Sequence, residues 1–130
     1  MKKIQVKTER EELKEITGLV QEAVAADGLK DGFCHLFCPH TTCALAINEN
    51  ADPSVKSDVL SGLSKVIDGA YHYRHGEGNS PAHIKSLLTG PSLTVFVEAG
   101  LLQLGTWQGL YLCEYDGPRT RQVWIKTSAA

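Results

Sequence analysis

The fold is decided by residues 92–126, which read SLTVFVEAGLLQLGTWQGLYLCEYDGPRTRQVWIK. Apolar, aromatic and β-branched residues recur there in short runs that are separated by glycine-containing turns, a pattern typical of strands. Sequential strands that are joined by short turns pair antiparallel. The predicted strands span residues 92–98, 101–104, 106–115 and 119–126.

Outward from this stretch, the sequence alternates strands with helices. Three further strands are predicted over residues 2–7, 32–38 and 42–48, and a bend at Pro39-His40-Thr41 separates the last two. Strands at both ends of the chain with helices between them indicate an α+β fold, with a mainly antiparallel sheet and about three helices.

Capping residues mark the predicted helices. Thr8 followed by Glu11 fits a capping box, and the first helix should run from there to Asp27-Gly28. Asp52-Pro53 starts a second helix, with an apolar stripe that continues to Ile67. Ser80-Pro81 starts a third helix, which should carry His83 in its first turn and end at Gly90-Pro91. Its buried residues should be Ile84, Leu87 and Leu88.

Length and composition predict one domain over residues 1–130. The formal net charge of -2 excludes a global basic field, so we expect no nucleic-acid partner. No apolar run is long enough to span a bilayer and no signal-peptide core is present, so we expect a cytoplasmic protein without a membrane partner. The four cysteines stand at irregular spacings and are interpreted as small core residues, not as a disulfide framework.

Histidines are concentrated in the bend and in the loop that precedes the third helix. If the bend lies near that helix, His40, His75 and His83 could converge, and three imidazoles with one open position are the ligand set of a catalytic zinc. The sequence has no His-x-x-x-His pair and no Cys-x-x-Cys pair. A hydrogen-bonded histidine cluster therefore stays open as the alternative to a metal site.

Two further features could bind an anion. The glycine-containing run at residues 76–81 leads into a helix N-terminus, although an ordinary loop and cap explain it equally well. Arg119 and Arg121 should project from one face of the last strand, where they could hold a phosphate or form a solvated surface. Glu114 is a candidate acid/base or a charge partner for an arginine.

Other polar residues stand at the ends of predicted elements. Thr41 and Thr42 adjoin His40, whereas Asn48 and Glu49 end the next strand and precede the helix cap Asp52. Trp107 and Gln108 could line a pocket, although a strand tryptophan is more often packed in a core or an interface. Cys43 as a nucleophile is disfavoured, because neighbours on a strand point to opposite faces.

Taken together, these motifs resemble the YjbQ family, whose members are often described as secondary thiamine-phosphate synthases. The likeness runs in order from about Phe33 to the last strand. The motifs are Pro39-His40-Thr41-Thr42, Asn48-Glu49-Asn50-Ala51-Asp52-Pro53, Tyr73-Arg74-His75, Glu77-Gly78-Asn79, Ala82-His83, Leu104-Gly105-Thr106-Trp107-Gln108 and Asp116-Gly117-Pro118-Arg119-x-Arg121.

The resemblance implies a compact α+β homotrimer with a divalent metal, zinc by preference, near a subunit boundary. It assigns the metal to His40, His75 and His83, the chemistry to Glu49, Glu114, Arg119 and Arg121, and substrate binding to Thr41, Thr42, Asn48, Asn79, Trp107 and Gln108.

Two classes of function follow from the resemblance. The first is an enzyme that acts on a small phosphorylated metabolite, with thiamine-phosphate formation as the named reaction. Metal-assisted hydrolysis, with Glu114 or Glu49 moving the proton, is the second choice within that class. The other class is a non-catalytic trimer that binds a metal or a metabolite.

Overall fold

Eight strands and three helices make up the chain, which the computed structural model describes from Met1 to Ala130. The strands are β1 (Lys2–Lys7), β2 (Glu12–Glu15), β3 (Gly32–Phe37), β4 (Cys43–Glu49), β5 (Ser92–Glu98), β6 (Leu101–Leu102), β7 (Gln108–Glu114) and β8 (Thr120–Ala129). The helices are α1 (Thr17–Asp27), α2 (Pro53–Val66) and α3 (Ser80–Thr89). This inventory confirms the α+β class and the three helices.

The strands form two sheets, where the sequence suggested one. The larger sheet has the order β1-β8-β3-β5-β6 and the smaller one the order β2-β7-β4. Every pairing is antiparallel, as predicted. In the smaller sheet Cys43 pairs with Glu114 at one end, and Glu49 pairs with Gln108 at the other.

The hydrophobic core lies between the two sheets. Alternate residues of β3, β5 and β8 point inward and meet β4, β7 and α1, and the buried set includes Leu36, Val97, Leu112 and Val123. Helices α2 and α3 cover the opposite face of the smaller sheet, where Tyr111 is almost completely buried. The smaller sheet is therefore packed on both faces, whereas the larger sheet has one open face.

The first predicted helix begins too early. Residues Glu12–Glu15 form β2, in which Leu13 is buried and its neighbours are not, and α1 starts only at Thr17. Pairing of residues 12–15 with β7 outweighs the local capping signal. Thr8 does not cap the helix, because its hydroxyl hydrogen-bonds to the Glu114 carboxylate and to the Arg119 N–H. The predicted end is correct, since Gly28 adopts the left-handed conformation at φ 70°.

Helix α2 begins as predicted and packs less tightly than its apolar stripe suggested. The Asp52 carboxylate accepts a hydrogen bond from the Ser54 N–H, and Pro53 occupies the first turn. No residue of this helix is fully buried, and Val59, Leu60 and Leu63 are only partly covered. The helix is thus a half-exposed cover on the smaller sheet.

Helix α3 has the predicted bounds but the opposite apolar face. Its buried residues are Ala82, Lys85 and Ser86, whereas Leu87 and Leu88 are 82% and 63% exposed. Helix α3 contacts β4, and residues at i and i+4 share one helix face, so Ala82 and Ser86 bring the two backbones close. The predicted burial of Leu87 and Leu88 is wrong, because the helix turns these side chains outward.

Several smaller predictions can be checked directly. All four cysteines are buried free thiols, as expected of core residues. Trp107 is not in a strand but in the turn before β7, where it is 63% exposed. No helix combines the length and the apolar character required to span a membrane.

Candidate functional site

A polar cavity of about 390 Å³ opens where β4 begins and β7 ends, and we call it the polar cavity. No hydrophobic side chain lines it. Its lining residues are Pro39, His40, Thr41, Thr42, His75, Glu77, Asn79, His83, Asp116, Arg119 and Arg121. The bend, the loop before α3, the first turn of α3 and the start of β8 therefore converge on one space, as the predicted grouping of the three histidines required.

The bend that carries His40 is fixed at both ends. Cys38 and Cys43 flank it, both thiols are buried, and their Sγ atoms lie 3.3 Å apart. The His40 Nε2 accepts a hydrogen bond from the Gln122 N–H at 2.9 Å, which ties the ring to β8. The imidazole therefore holds a defined position at the cavity wall.

His40 is held in its neutral form. Burial, followed by the positive charge of Arg121, lowers the pKa of its imidazole below the ordinary histidine value. Because Nε2 accepts a hydrogen bond, the single proton of the neutral ring must reside on Nδ1. His40 can therefore donate a hydrogen bond through Nδ1.

A buried ion pair supports the floor of the cavity. The Arg121 Nε donates to Glu114 Oε1 at 2.7 Å, and its Nη2 donates to Glu114 Oε2 at 2.6 Å and to the Thr42 hydroxyl at 2.8 Å. The Thr8 hydroxyl and the Asp116 N–H donate to the same carboxylate. The guanidinium is thus locked in place, while its Nη1 makes no hydrogen bond within the chain.

Glu114 stays ionised in this environment. Burial by itself would raise the pKa of its carboxyl, but the hydrogen bonds from Arg121, Thr8 and the Asp116 N–H outweigh burial and bring the pKa below the ordinary glutamate value. Each of the two carboxylate oxygens already accepts two hydrogen bonds. Of the two roles predicted for Glu114, these contacts support that of charge partner.

Arg119 occupies the rim and not the strand face predicted for it. It precedes β8, and its Nε and Nη2 donate to the Asp116 carbonyl and carboxylate at 2.7 and 2.9 Å. The same carboxylate accepts a hydrogen bond from the Asn79 side chain at 2.8 Å. The neighbouring Gly117 cannot carry a side chain, because a Cβ there would collide with the Glu9 carbonyl. The rim is therefore a rigid turn that presents one arginine.

His75 and His83 form a pair that lines the same cavity. Their ring centroids lie 5.5 Å apart and the rings are nearly perpendicular. The Glu77 carboxylate is 4.0 Å from the His75 Nε2. The Oδ1 atom of Asn79, from the same loop, is buried and has no hydrogen-bond partner. A ligand that donates a hydrogen bond would satisfy this oxygen.

The histidines fit the predicted metal only in part. Two imidazoles that share a tetrahedral zinc at 2.0–2.1 Å have ring centroids about 5 Å apart, which is close to the spacing of His75 and His83. His40 does not fit as the third ligand in this arrangement, because Nε2 is occupied and Nδ1 carries the proton. The residues that would hold a metal are therefore His75 and His83.

Four predicted site residues lie elsewhere. Asn48, Glu49, Trp107 and Gln108 cluster at the far end of the smaller sheet, about 20 Å from Cys43 along β4 at the usual strand rise. The polar side chains serve local turns: Asn48 accepts from the Glu49 N–H, Glu49 accepts from the Ala51 N–H, and Gln108 accepts from the Gly105 N–H. Within one chain these residues take no part in the polar cavity.

Sequence reasoning misses three residues that contribute to the polar cavity or to its supporting hydrogen bonds. The sequence predicts Thr8 as a helix cap, and no local signal shows that its hydroxyl reaches Glu114, 106 residues away in the chain. Asp116 and Glu77 belong to the motifs quoted above but were given no role. An acidic residue three positions before Arg119 was the available signal for the Asp116 contact.

The fold and the site together define a class: a two-sheet α+β protein with a cavity lined by histidines and arginines. The family described as UPF0047 protein YjbQ-like matches residues 2–130. YugU of Bacillus subtilis, a UPF0047 protein, is 48% identical over 128 residues, which cover 97% of this chain and 97% of YugU. The chain belongs to the YjbQ/UPF0047 family, which confirms the resemblance in its motifs.

Solved structures agree with this assignment. An uncharacterised conserved protein of the YjbQ/UPF0047 family from Clostridium acetobutylicum has a TM-score of 0.96 at 47% identity, with 98% of this chain and 100% of that chain covered. A protein of unknown function from Sulfolobus solfataricus has a TM-score of 0.93 at 29% identity, with coverage of 99% and 96%. The same fold is thus kept at widely different identities.

Proposed function

We propose that the chain is an enzyme that binds a small phosphorylated metabolite in the polar cavity. The observation that carries this proposal is the buried Arg121, whose guanidinium is fixed by Glu114 and Thr42 and leaves Nη1 free. A planar guanidinium that is already oriented matches the oxygens of a phosphate and loses little entropy on binding.

Further donors line the same cavity, together with the carboxylates of Glu77 and Asp116. Arg119 stands at the rim, Thr41 brings a hydroxyl, and His40 offers its Nδ1 proton. Charge-assisted and neutral donors aimed at one space favour a ligand that is rich in acceptor oxygens. A phosphate or diphosphate ester meets that requirement.

Within this class we propose transfer chemistry, with thiamine-phosphate formation as the named reaction. Joining a phosphorylated thiazole to a pyrimidine diphosphate forms a bond from the thiazole nitrogen to the methylene carbon of the pyrimidine. The bond from that carbon to the diphosphate oxygen breaks and releases pyrophosphate, whose charge Arg119 and Arg121 would stabilise. Hydrolysis is less well supported, because the carboxylate of Glu114 is fully engaged and Glu49 lies at the far end of the sheet.

A divalent metal, zinc by its preference for imidazole, stays part of the proposal at His75 and His83, without His40. Elemental analysis of protein purified without a histidine tag tests it. The wild type should carry metal, and His83→Ala should lose it while His35→Ala on the larger sheet keeps it. Equal metal content in the wild type and both variants would remove His83 from the ligand set.

The second candidate is a non-catalytic homotrimer that binds a metabolite or a metal. The engaged carboxylate of Glu114 favours this candidate, since the acid predicted to move a proton already accepts hydrogen bonds from Thr8, Arg121 and the Asp116 N–H. Exposed apolar side chains such as Leu87, Phe96 and Leu101 are available for association between copies.

Calorimetric titration with inorganic phosphate tests binding, and incubation with the two thiamine precursors tests turnover. The double variant Arg119→Ala with His75→Ala should weaken phosphate binding at least tenfold and abolish any product. The matched control is Lys126→Ala with His35→Ala, two residues paired on the larger sheet. Phosphate binding or product formation that is unchanged in the first double variant would contradict the proposal.

A further inference from the structure

Two cysteines flank the bend that carries His40, and we call Cys38 and Cys43 the thiol pair. Their Sγ atoms lie 3.3 Å apart, and the Cys38 thiol donates to the Cys43 carbonyl at 3.4 Å. The other two cysteines, Cys34 and Cys113, are equally buried but make no hydrogen bond to a thiol. The thiol pair is therefore the one place in the chain where two cysteine side chains meet.

The backbone holds the thiol pair together. The Cys38 N–H donates to the Pro91 carbonyl at 2.7 Å, and the Leu45 N–H donates to the Gly90 carbonyl at 3.0 Å. Both sides of the bend are thus anchored to the two-residue connection between α3 and β5. Reacting groups that a fold already places side by side behave as if they were present at very high concentration. Bond formation within the pair is therefore favoured over reaction with an outside thiol.

A disulfide between these cysteines would act on the bend more than on overall stability. Its sulfur atoms would lie about 2.05 Å apart, so the thiol pair would have to close by about 1.3 Å. The bond would close a ring over residues 38–43 only, and so short a loop restrains the unfolded chain less than a long one does. We therefore expect its main effect on the native geometry of residues 39–42.

The residues inside this ring carry part of the polar cavity. Thr42 directly precedes Cys43, and its hydroxyl accepts the 2.8 Å hydrogen bond from Arg121 Nη2. His40 lies in the middle of the ring, and its Nε2 accepts the 2.9 Å hydrogen bond from the Gln122 N–H. A shift of about 1 Å takes either contact beyond hydrogen-bond distance. Closing the ring would therefore disturb donors and supports of the polar cavity.

We propose that Cys38 and Cys43 form a reversible disulfide, made by peroxide oxidation and broken by a thiol reductant, and that this bond weakens anion binding in the polar cavity. The inference rests on the proposed phosphate site and adds to it a means of regulation. The disulfide is the low-affinity form, and the pair of free thiols is the high-affinity form.

Hydrogen peroxide balances the oxidation. One cysteine, as a thiolate, attacks the peroxide; the O–O bond breaks, a sulfenic acid forms and a first water leaves. The second thiol attacks the sulfenic sulfur, the S–S bond forms, the S–O bond breaks and a second water leaves. The two electrons that the sulfur atoms lose reduce the peroxide. A dithiol such as dithiothreitol reverses the change by thiol–disulfide exchange.

Access to the thiol pair selects for a small oxidant. Both residues are only 2% exposed, and oxidation of a cysteine becomes slower as its exposure falls. Cys43 forms part of the wall of a cavity of about 420 Å³ beside the bend, which brings solvent to that residue. Hydrogen peroxide, which is small and uncharged, is therefore the appropriate reagent for the native protein.

Mass spectrometry of the intact protein tests bond formation. After peroxide treatment and alkylation in denaturant, the wild type should carry two alkyl groups instead of four, and four again when it is reduced first. Cys34→Ser, which removes a buried thiol within β3, is the matched control and should still lose two thiols. Cys43→Ser should form no disulfide within the chain. Four free thiols in the treated wild type, or a disulfide in Cys43→Ser, would overturn the inference.

Two measurements on the wild type report the effect on the polar cavity. Amide chemical shifts of residues 40–43 and of Gln122 should differ between the reduced and the oxidised protein in the absence of any ligand. Calorimetric titration with inorganic phosphate should show roughly fivefold weaker binding to the oxidised protein, the effect of losing about one hydrogen bond. Reduction should restore the affinity, and Cys34→Ser should respond to peroxide as the wild type does.

The outcomes separate this inference from the proposed function. If the oxidised protein carries the disulfide and binds phosphate as tightly as the reduced protein, the regulation is wrong and the phosphate site stands. If neither form binds phosphate, the proposed function fails and the regulation fails with it, whereas the thiol count still decides whether the disulfide forms. If no disulfide forms, the inference is wrong whatever the affinity for phosphate.

Discussion

The two ends of the smaller sheet carry similar polar residues and use them differently. At the Cys43 end, Glu114 receives a hydrogen bond from Thr8, 106 residues away in the chain, and its partner Arg121 binds Thr42, 79 residues away. At the Glu49 end, the side chains of Asn48, Glu49 and Gln108 bind backbone groups within three residues of themselves. The first end assembles a cavity and the second stabilises turns.

The contrast between the two ends separates two kinds of polar motif residue. A side chain that satisfies a nearby backbone group is explained by its own turn. A side chain held by distant segments, in a place where burial penalises its charge, requires another reason for being there. By this criterion we expect the function to lie at the end of the sheet that carries the polar cavity.

The largest expected effect is on stability when the buried ion pair is broken. Glu114→Ala leaves the Arg121 charge buried without a partner and should cost about 3–5 kcal/mol. Glu49→Ala removes only an exposed hydrogen bond to a turn and should cost no more than about 1 kcal/mol. Urea unfolding followed by circular dichroism measures both, and equal losses would erase the distinction between the two ends.

A smaller loss of stability is expected from replacing Thr8, whose hydroxyl donates to the Glu114 carboxylate of that ion pair. Thr8→Val keeps the shape but removes a buried hydrogen bond to a carboxylate at 2.6 Å, so we expect a loss of about 1.5–3 kcal/mol. Thr41→Val is the matched control, because Thr41 is exposed, and it should stay within about 0.5 kcal/mol. The same unfolding curves report both variants, and a Thr8 variant as stable as the wild type would remove this residue from the network.

The fold was largely predictable because its signals are local. Alternation of apolar residues located most strands, and the proline with its capping aspartate located α2. The failures are also instructive. Residues Glu12–Glu15 became a strand because β7 offers a pairing edge, and the leucines of α3 point outward because Ala82 and Ser86 face β4. The strand at residues 12–15 and the orientation of α3 both depend on contacts between residues far apart in the chain, which no short stretch of sequence contains.

The site was predictable to the extent that its residues lie in recognisable motifs. The family resemblance brought His40, His75 and His83 together with the two arginines, and the structure places all five on one cavity. The resemblance could not separate these residues from Glu49 or Trp107. A shared motif identifies residues of interest but does not show which ends of the strands meet at one cavity. Thr8 stayed hidden because its partner lies 106 residues away.

The smallest expected effect is on the acid dependence of stability. The folded-state pKa of Glu114 lies below its unfolded value, so the unfolded chain binds more protons as the pH falls. The stabilisation is therefore present above about pH 4.3, the ordinary glutamate value, and is lost as the pH falls toward the folded-state pKa.

Unfolding free energies measured from pH 6 to pH 3 check this dependence. Glu114→Gln, although less stable at pH 6, should lose less stability on acidification than the wild type, and the same replacement at Glu49 should leave the acid dependence of the wild type in place. An acid dependence that Glu114→Gln leaves unchanged would show that this carboxyl does not govern it.

The most direct measurement is a titration of the isotopically labelled protein with inorganic phosphate, followed residue by residue through amide chemical shifts. The account predicts shift changes concentrated at residues 39–42, 75–83 and 116–122, which line or adjoin the polar cavity, and none at residues 48–50 and 105–109. Changes concentrated at residues 48–50 and 105–109, or no changes at saturating phosphate, would contradict it.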